Sequence, residues 1–291
     1  MILDSYDLKD LERAKWLLEN PGFTAKITNL LGTPIEKGFE MLPQNWKYKV
    51  GQITHSALSR AVSAAVLTLN DEPYRQSSNL WHKIAVGTTG GISGFFGLSA
   101  LAIELPISTT IMLRSIADIA RSEGELMTSL STKIACMEVF AFGGTKNLDD
   151  AYESAYFVAR AALASSVANA AEYIAERGLV EGSPALVRLI IQIADRFSVQ
   201  VSEKAVTQAL PAIGAAGGVI INTLFIDHFQ DMARGHFIVR RLENKYGADV
   251  VKSTYENMES SGSSDKGSSY KGSSYKGSSY KGSSYKGSSY K

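Results

Sequence analysis

The chain has 291 residues, 45% of them apolar and 20% charged, the balance of a globular protein. Its formal net charge of +1 hides an asymmetry: from Glu259 onward six lysines face only Glu259 and Asp265, a net of +4, leaving −3 for residues 1–258. The folded part therefore carries no cationic excess to attract nucleic acid, and the single cysteine, Cys136, excludes an intramolecular disulfide or a thiolate metal cluster.

Helix punctuation recurs along the whole chain. Ser5 is expected to cap a helix with Leu8, Leu11, Ala14 and Leu18 at helical spacing, stopped by Asn20-Pro21-Gly22. Thr33-Pro34 opens the next, and a long helix is predicted from Trp46 to Asn70, ended by Asp71-Glu72-Pro73. Another starts near Ser78-Asn79. Pro106 is expected to open a helix ending near Gly124, and Thr128–Phe142 is closed by Gly143-Gly144. An alanine-rich helix is predicted over Leu148–Arg177, stopped by Gly178. Ser183-Pro184 opens the next, Pro211 interrupts the chain, and a last helix is expected to end near Gly247. No alternating apolar run is bounded by hairpin turns. The predicted fold is all-α, a multi-helix bundle over residues 1–258.

Residues 259–291 form a separate tail, with Gly262-Ser263-Ser264-Asp265-Lys266 followed by five exact copies of Gly-Ser-Ser-Tyr-Lys. Tyrosine rings alone offset too little backbone entropy, so this composition predicts disorder. It reads either as a tandem expansion with no specific task or as a segment whose Lys and Tyr meet RNA or anionic lipid.

Two uncharged stretches stand out. Ile84–Ile103 carries Gly87, Gly90, Gly91, Gly94 and Gly97, with Gly87/Gly91 and Gly90/Gly94 spaced for close helix approach. Ala205–Ile226 holds Pro211, then Gly214 and Gly218 in the same register, with Asn222 placed to bond inside a packed interface. Each reaches the ~20 residues of a membrane span, yet both are only mildly hydrophobic. They read as two closely packed glycine-rich helices of a buried core, or as an interfacial or re-entrant membrane element facing lipid. Beyond Glu104, residues Ile107, Ile111, Arg114 and Asp118 share one helical face. Arg114 and Asp118 are expected to pair there, with Glu104 joining if the chain folds back at Pro106.

The sequence has no H-E-x-x-H, no phosphate-loop or dinucleotide glycine pattern and no G-x-S-x-G, and no cofactor is expected. The remaining chemistry lies on the last helix, at Asp227, His228, Asp231 and His236. His228 and His236 are ~12 Å apart along such a helix and ~80° around it, so they cannot share one ion. His236 shares a stripe with Phe225, Phe229, Met232 and Val239, the position of a core histidine. Arg234, Arg240 and Arg241, with Lys245, suit a helix C-terminus or lipid phosphates.

The stretches IELPISTTIMLRSIADIARSEGE, ACMEVFAFGG (Ala135–Gly144) and SEKAVTQALPAIGAAGGVIINTLFIDHFQDMARGHFIVRRLENKYG (Ser202–Gly247) resemble the EcsC protein family, in the same order. The resemblance implies a bacterial, largely helical protein with a membrane-side accessory role, since the family is named for a gene beside ABC transporter components. Its recurring residues are matched by Glu104, Arg114, Asn222, His228, Arg234, His236 and Arg240, without assigned roles. With no secretory signal at Met1–Asp7, the expected location is the cytoplasm, including the inner face of the membrane. The leading expectation is a non-enzymatic accessory factor binding lipid or a membrane-protein partner through its glycine-rich helices. The alternative is a hydrolase acting on an apolar substrate through His228, Asp231 or Glu104.

Overall fold

The structure, a computed structural model, describes residues 3–19, 23–31, 39, 44–66, 97–143, 154–178, 182–209 and 214–258. Outside them fall Thr33-Pro34, Ser78-Asn79, Gly87, Gly91, Gly94, Pro211 and the repeat tail. The close packing of two glycine-rich helices therefore falls outside the described residues. Within them the fold is all-α, with nine α-helices and no strand: α1 Ser5–Glu19, α2 Phe23–Leu31, α3 Trp46–Val66, α4 Gly97–Ser122, α5 Leu130–Glu138, α6 Ala155–Arg177, α7 Pro184–Ala209, α8 Gly214–Tyr246 and α9 Ala248–Asn257. A single 3-10 turn, Val139–Ala141, extends α5.

α8 is the spine. Polar contacts fix α4 beside it in parallel: Asn222 donates to Glu104, Gln230 Nε2 to Ser115 Oγ at 2.8 Å, and Arg241 Nε to Glu123 at 3.2 Å. Both partners climb together in number, which is the mark of parallel helices. α7 runs the other way, since Lys204 lies over Phe225 while Phe197 meets Phe229, four residues later. Phe140, Phe197, Phe225 and Phe229 stack edge-on and tilted around the α7–α8 seam, burying four large apolar groups of the core.

α1 crosses α8 antiparallel. Lys245 binds Asp4 and Asp7, Arg241 binds Asp10 at 2.6 Å, and Gly235 faces Ala14 and Leu18. A Cβ on Gly235 would lie 2.5 Å from Leu18 Cγ and 3.1 Å from the Ala14 carbonyl, so the bare glycine sets the approach of the two helices. Lys15 then closes the bundle by donating to the carbonyls of Tyr255 and Met258 at the end of α9.

Several boundaries differ from the sequence expectation. The first cap is Asp4, not Ser5: its carboxylate accepts from the Tyr6 and Asp7 backbone amides. Pro106 does not open a helix; α4 runs straight through it. Proline removes the N–H that would bond Ala102 and its ring crowds that carbonyl, yet buried Leu101, Glu104 and Leu105 hold the preceding turn in place. α6 starts at Ala155, where Ser154 accepts from the Tyr156 amide. Gly247 ends α8 at φ +91° but is followed at once by a further helix, α9, whose Val251 and Tyr255 are buried.

Candidate functional site

Glu104 ends the first uncharged stretch, and Lys204 immediately precedes the second. The fold brings these two bounding charges together. Lys204 Nζ donates to Glu104 Oε1 at 2.7 Å, with side chains 0% and 4% exposed. Asn222 Nδ2 adds a second donor to the same oxygen at 3.3 Å, and the Phe225 ring lies 4.8 Å from the ammonium. Glu104 Oε2 is buried without a hydrogen-bond partner. Removing two ions from water costs several kcal/mol each, so the pair holds only because attraction, the Asn222 donor and the aromatic face act at once.

The pairing leaves an uncharged surface on the other side of the same helix turn. Glu104 points inward to Lys204, while Ile103 and Ile107, four residues apart on one face, are 73% and 48% exposed. Within α4 the next charged residue along that face is Arg114, which is exposed. On α8, Val219 and Ile220 are 40% and 45% exposed, just ahead of Asn222. Because α4 and α8 are parallel and Asn222 touches Glu104, both apolar faces lie at one end of the bundle.

The expected local pair of Arg114 and Asp118 does not form around Glu104. Asp118 is bonded by Arg121, three residues on, at 2.6 Å, and Glu104 takes its cation from α7. Periodicity relates residues within one helix and is blind to a partner a hundred positions away.

Nor does the fold bring Glu104 to His228 and Asp231, which neighbour each other on α8. Asn222, which marks the position of Glu104 on α8, precedes His228 by six residues, ~9 Å along the helix and ~120° around it. His228 is buried against Phe23 and Gly143, and its Nε2 has no hydrogen-bond partner. Burial, helped by the positive charge of Lys26, pushes its imidazole down to about 3, so it is neutral. Asp231 binds Lys26 at 3.3 Å and lies 3.8 Å from Arg234; burial nevertheless raises its carboxyl above the usual range. His236 is fully buried, with Nδ1 2.9 Å from the Tyr156 hydroxyl and Phe142 stacked obliquely on the ring. Burial, with Arg160 and Arg240 nearby, holds it well below the ordinary histidine value.

The remaining cations of α8 serve long-range pairs. Arg240 binds Glu125 at 2.9 Å, and Arg160 of α6 forms a two-pronged bridge to Glu243. Buried Glu138 lies in the field of Arg160, Arg240 and Glu243, and burial raises its carboxyl. The thiol of Cys136 is buried and pushed up to about 12. Among the described residues, no three His, Cys, Asp or Glu side chains come together as a metal site. Among them, too, no helix is long and apolar enough to cross a membrane.

Sequence reasoning missed Lys204, although its position at the edge of an uncharged run mirrors that of Glu104. It also missed the Ser115–Gln230 link, for which neither residue gives a signal.

An all-helical bundle with a spine helix, a buried interhelical ion pair and an exposed apolar end is the class that fold and site define. Within that class the chain belongs to the EcsC protein family, whose model matches residues 8–242. Comparison with curated proteins and with solved structures found no match.

Proposed function

We propose that this protein is a non-catalytic accessory factor that works at a membrane surface, laying the uncharged outer face of α4 and the start of α8 against lipid. The observation that carries this reading is the exposure of Ile103 and Ile107 on the turn whose only charge, Glu104, is turned inward and neutralised by Lys204. Val219 and Ile220 add apolar surface at the same end. Scattered exposed apolar residues are ordinary, but a cluster at a charge-free helix end is the pattern of a contact surface. Four partly exposed aliphatic side chains supply on the order of a few kcal/mol when covered, enough for reversible attachment. The accessory role implied by the family name points the same way by association only.

The hydrolase alternative requires His228, Asp231 and Glu104 in one cleft. His228 and Asp231 are neighbours three residues apart on α8, but Glu104 is held by Lys204 beside Asn222, about 9 Å along α8 from His228. Co-sedimentation with phospholipid vesicles tests the membrane reading. The native chain is expected to pellet with vesicles, and Ile103→Asp with Ile107→Asp to remain in solution with an unchanged melting temperature. Equal pelleting of both chains would dismiss this face as the contact.

A further inference from the structure

We propose that the outer face of α1 is a second lipid contact, one that meets anionic headgroups; this rests on the membrane-surface reading above. Residues 4–19 carry Asp4, Asp7, Asp10, Glu12 and Glu19 against Lys9, Arg13 and Lys15, a net of −2. The fold sorts these charges by face. Lys245 and Arg241 of α8 pair with Asp4, Asp7 and Asp10, while Lys15 is held by the carbonyls that end α9. Lys9 and Arg13 are exposed, and neither enters an ion pair among the described residues. A helix that is acidic in sequence therefore presents a cationic outer stripe, with exposed Glu12 at its border.

Aromatic rings flank those cations. Tyr6, Lys9, Arg13 and Trp16 fall within about 80° of one another around α1, and the two rings stand ~15 Å apart along it with both cations between. Tyr6 is 83% exposed and Trp16 56%. Rings with a polar tip settle at the headgroup level of a bilayer, and an ammonium or guanidinium between them meets phosphate. The stripe also lies on a flank of α8 that carries exposed aliphatic surface. Lys245, which α1 covers through Asp4 and Asp7, and half-exposed Ile220 fall within about 20° of each other around α8. An acidic polypeptide is the competing partner for two such cations. It is disfavoured because it offers no apolar phase to Ile220 on the same flank.

The test uses the full chain and two variants of it, Lys9→Gln with Arg13→Gln, and Trp16→Phe. Each is titrated with vesicles of brominated phosphatidylcholine alone, with the same vesicles containing phosphatidylglycerol, and with polyglutamate. The charge variant is expected to bind the anionic vesicles about tenfold more weakly than the native chain at low salt, a difference that fades as salt is added. Its binding to neutral vesicles and its melting temperature are expected to stay as they were. Lipid bromine is expected to quench a share of the native tryptophan emission that is missing from Trp16→Phe. Equal binding of the native chain and the charge variant to anionic vesicles, or equal quenched emission in native and Trp16→Phe chains, overturns the α1 contact and leaves the membrane reading standing. A native chain that binds neither vesicle overturns both. Charge-dependent binding to polyglutamate without charge-dependent binding to vesicles would make the stripe a docking face for acidic protein and overturn the proposal.

Discussion

Lys204 on α7 and Glu104 on α4 stand one hundred residues apart in the chain, yet Nζ and Oε1 are 2.7 Å from each other and closed off from water. Each is the charge that borders one of the two uncharged stretches. The pair joins α4 to α7, and it leaves Ile103 and Ile107 as exposed residues on either side of Glu104.

Breaking that pair from one side strands a buried ion. Glu104→Ala or Lys204→Ala is expected to cost about 3–5 kcal/mol in urea unfolding. The double replacement Glu104→Met with Lys204→Met should recover most of the loss, because no uncompensated charge remains. If the single variants each lose under about 1 kcal/mol, the ion pair is not what orders this end of the bundle.

Gly235 is a second point of sensitivity. Glycine to alanine inside a helix normally gains up to about 1 kcal/mol. Here the added methyl meets Leu18 Cγ and the Ala14 carbonyl. The expected outcome for Gly235→Ala is a net loss of about 1–3 kcal/mol, relieved in part by Leu18→Ala measured as a double-mutant cycle. A stabilised Gly235→Ala protein would mean that α1 does not cross α8 as described.

Gly143 is constrained twice. Its φ is +79°, and a Cβ there would lie 2.3 Å from Cε1 and Nε2 of His228. Gly143→Ala should therefore cost at least about 1–2 kcal/mol from the backbone alone, with the steric overlap in addition. Adding His228→Ala is expected to remove the overlap and keep the backbone share. Coupling between the two sites of near zero would separate Gly143 from the imidazole.

The buried histidines give a sign to the acid response. His228 and His236 are held neutral in the folded state, whereas unfolded histidine titrates near about 6.5. Below that pH the unfolded chain takes up more protons, so stability is full above it and falls as pH drops toward about 3, the folded value for His228. Each histidine contributes a slope of up to about 1.4 kcal/mol per pH unit in that window. Glu125, its carboxyl lowered by Arg240 and Thr132 against the opposing effect of burial, adds loss in the carboxylate range, while Asp231 and Glu138, raised by burial, act the other way. Urea titrations from pH 7 to 4 should show this fall, shallower in His228→Gln. A pH-independent stability across that range would mean that the imidazoles are not buried neutral.

The helical class and many helix ends were legible because glycine and proline impose local constraints: Gly124, Gly178 and Gly247 all take the positive φ that only glycine adopts freely. The same local logic misread Pro106, where packing of Leu101 and Leu105 outweighs one lost hydrogen bond. It also stopped too soon at Gly247, since a chain-reversing glycine ends one helix without forbidding another. At the candidate site, burial of His236 followed from its place on the Phe225–Phe229 stripe. Its Tyr156 partner and the partnership of Glu104 with Lys204 did not, because those side chains come from other helices. Asn222 was readable as an interface residue, but not as a donor to Glu104.

The most direct measurement places an environment-sensitive fluorophore at Ile103→Cys, and separately at exposed Ala161→Cys on α6, and adds vesicles that contain a lipid-borne quencher. Native Cys136 is buried and is expected to stay unlabelled. If the uncharged end of α4 is the membrane face, the probe at 103 shifts to the blue and is quenched, while the probe at 161 keeps its aqueous spectrum. An aqueous spectrum at 103 on protein that has pelleted with the vesicles would contradict it.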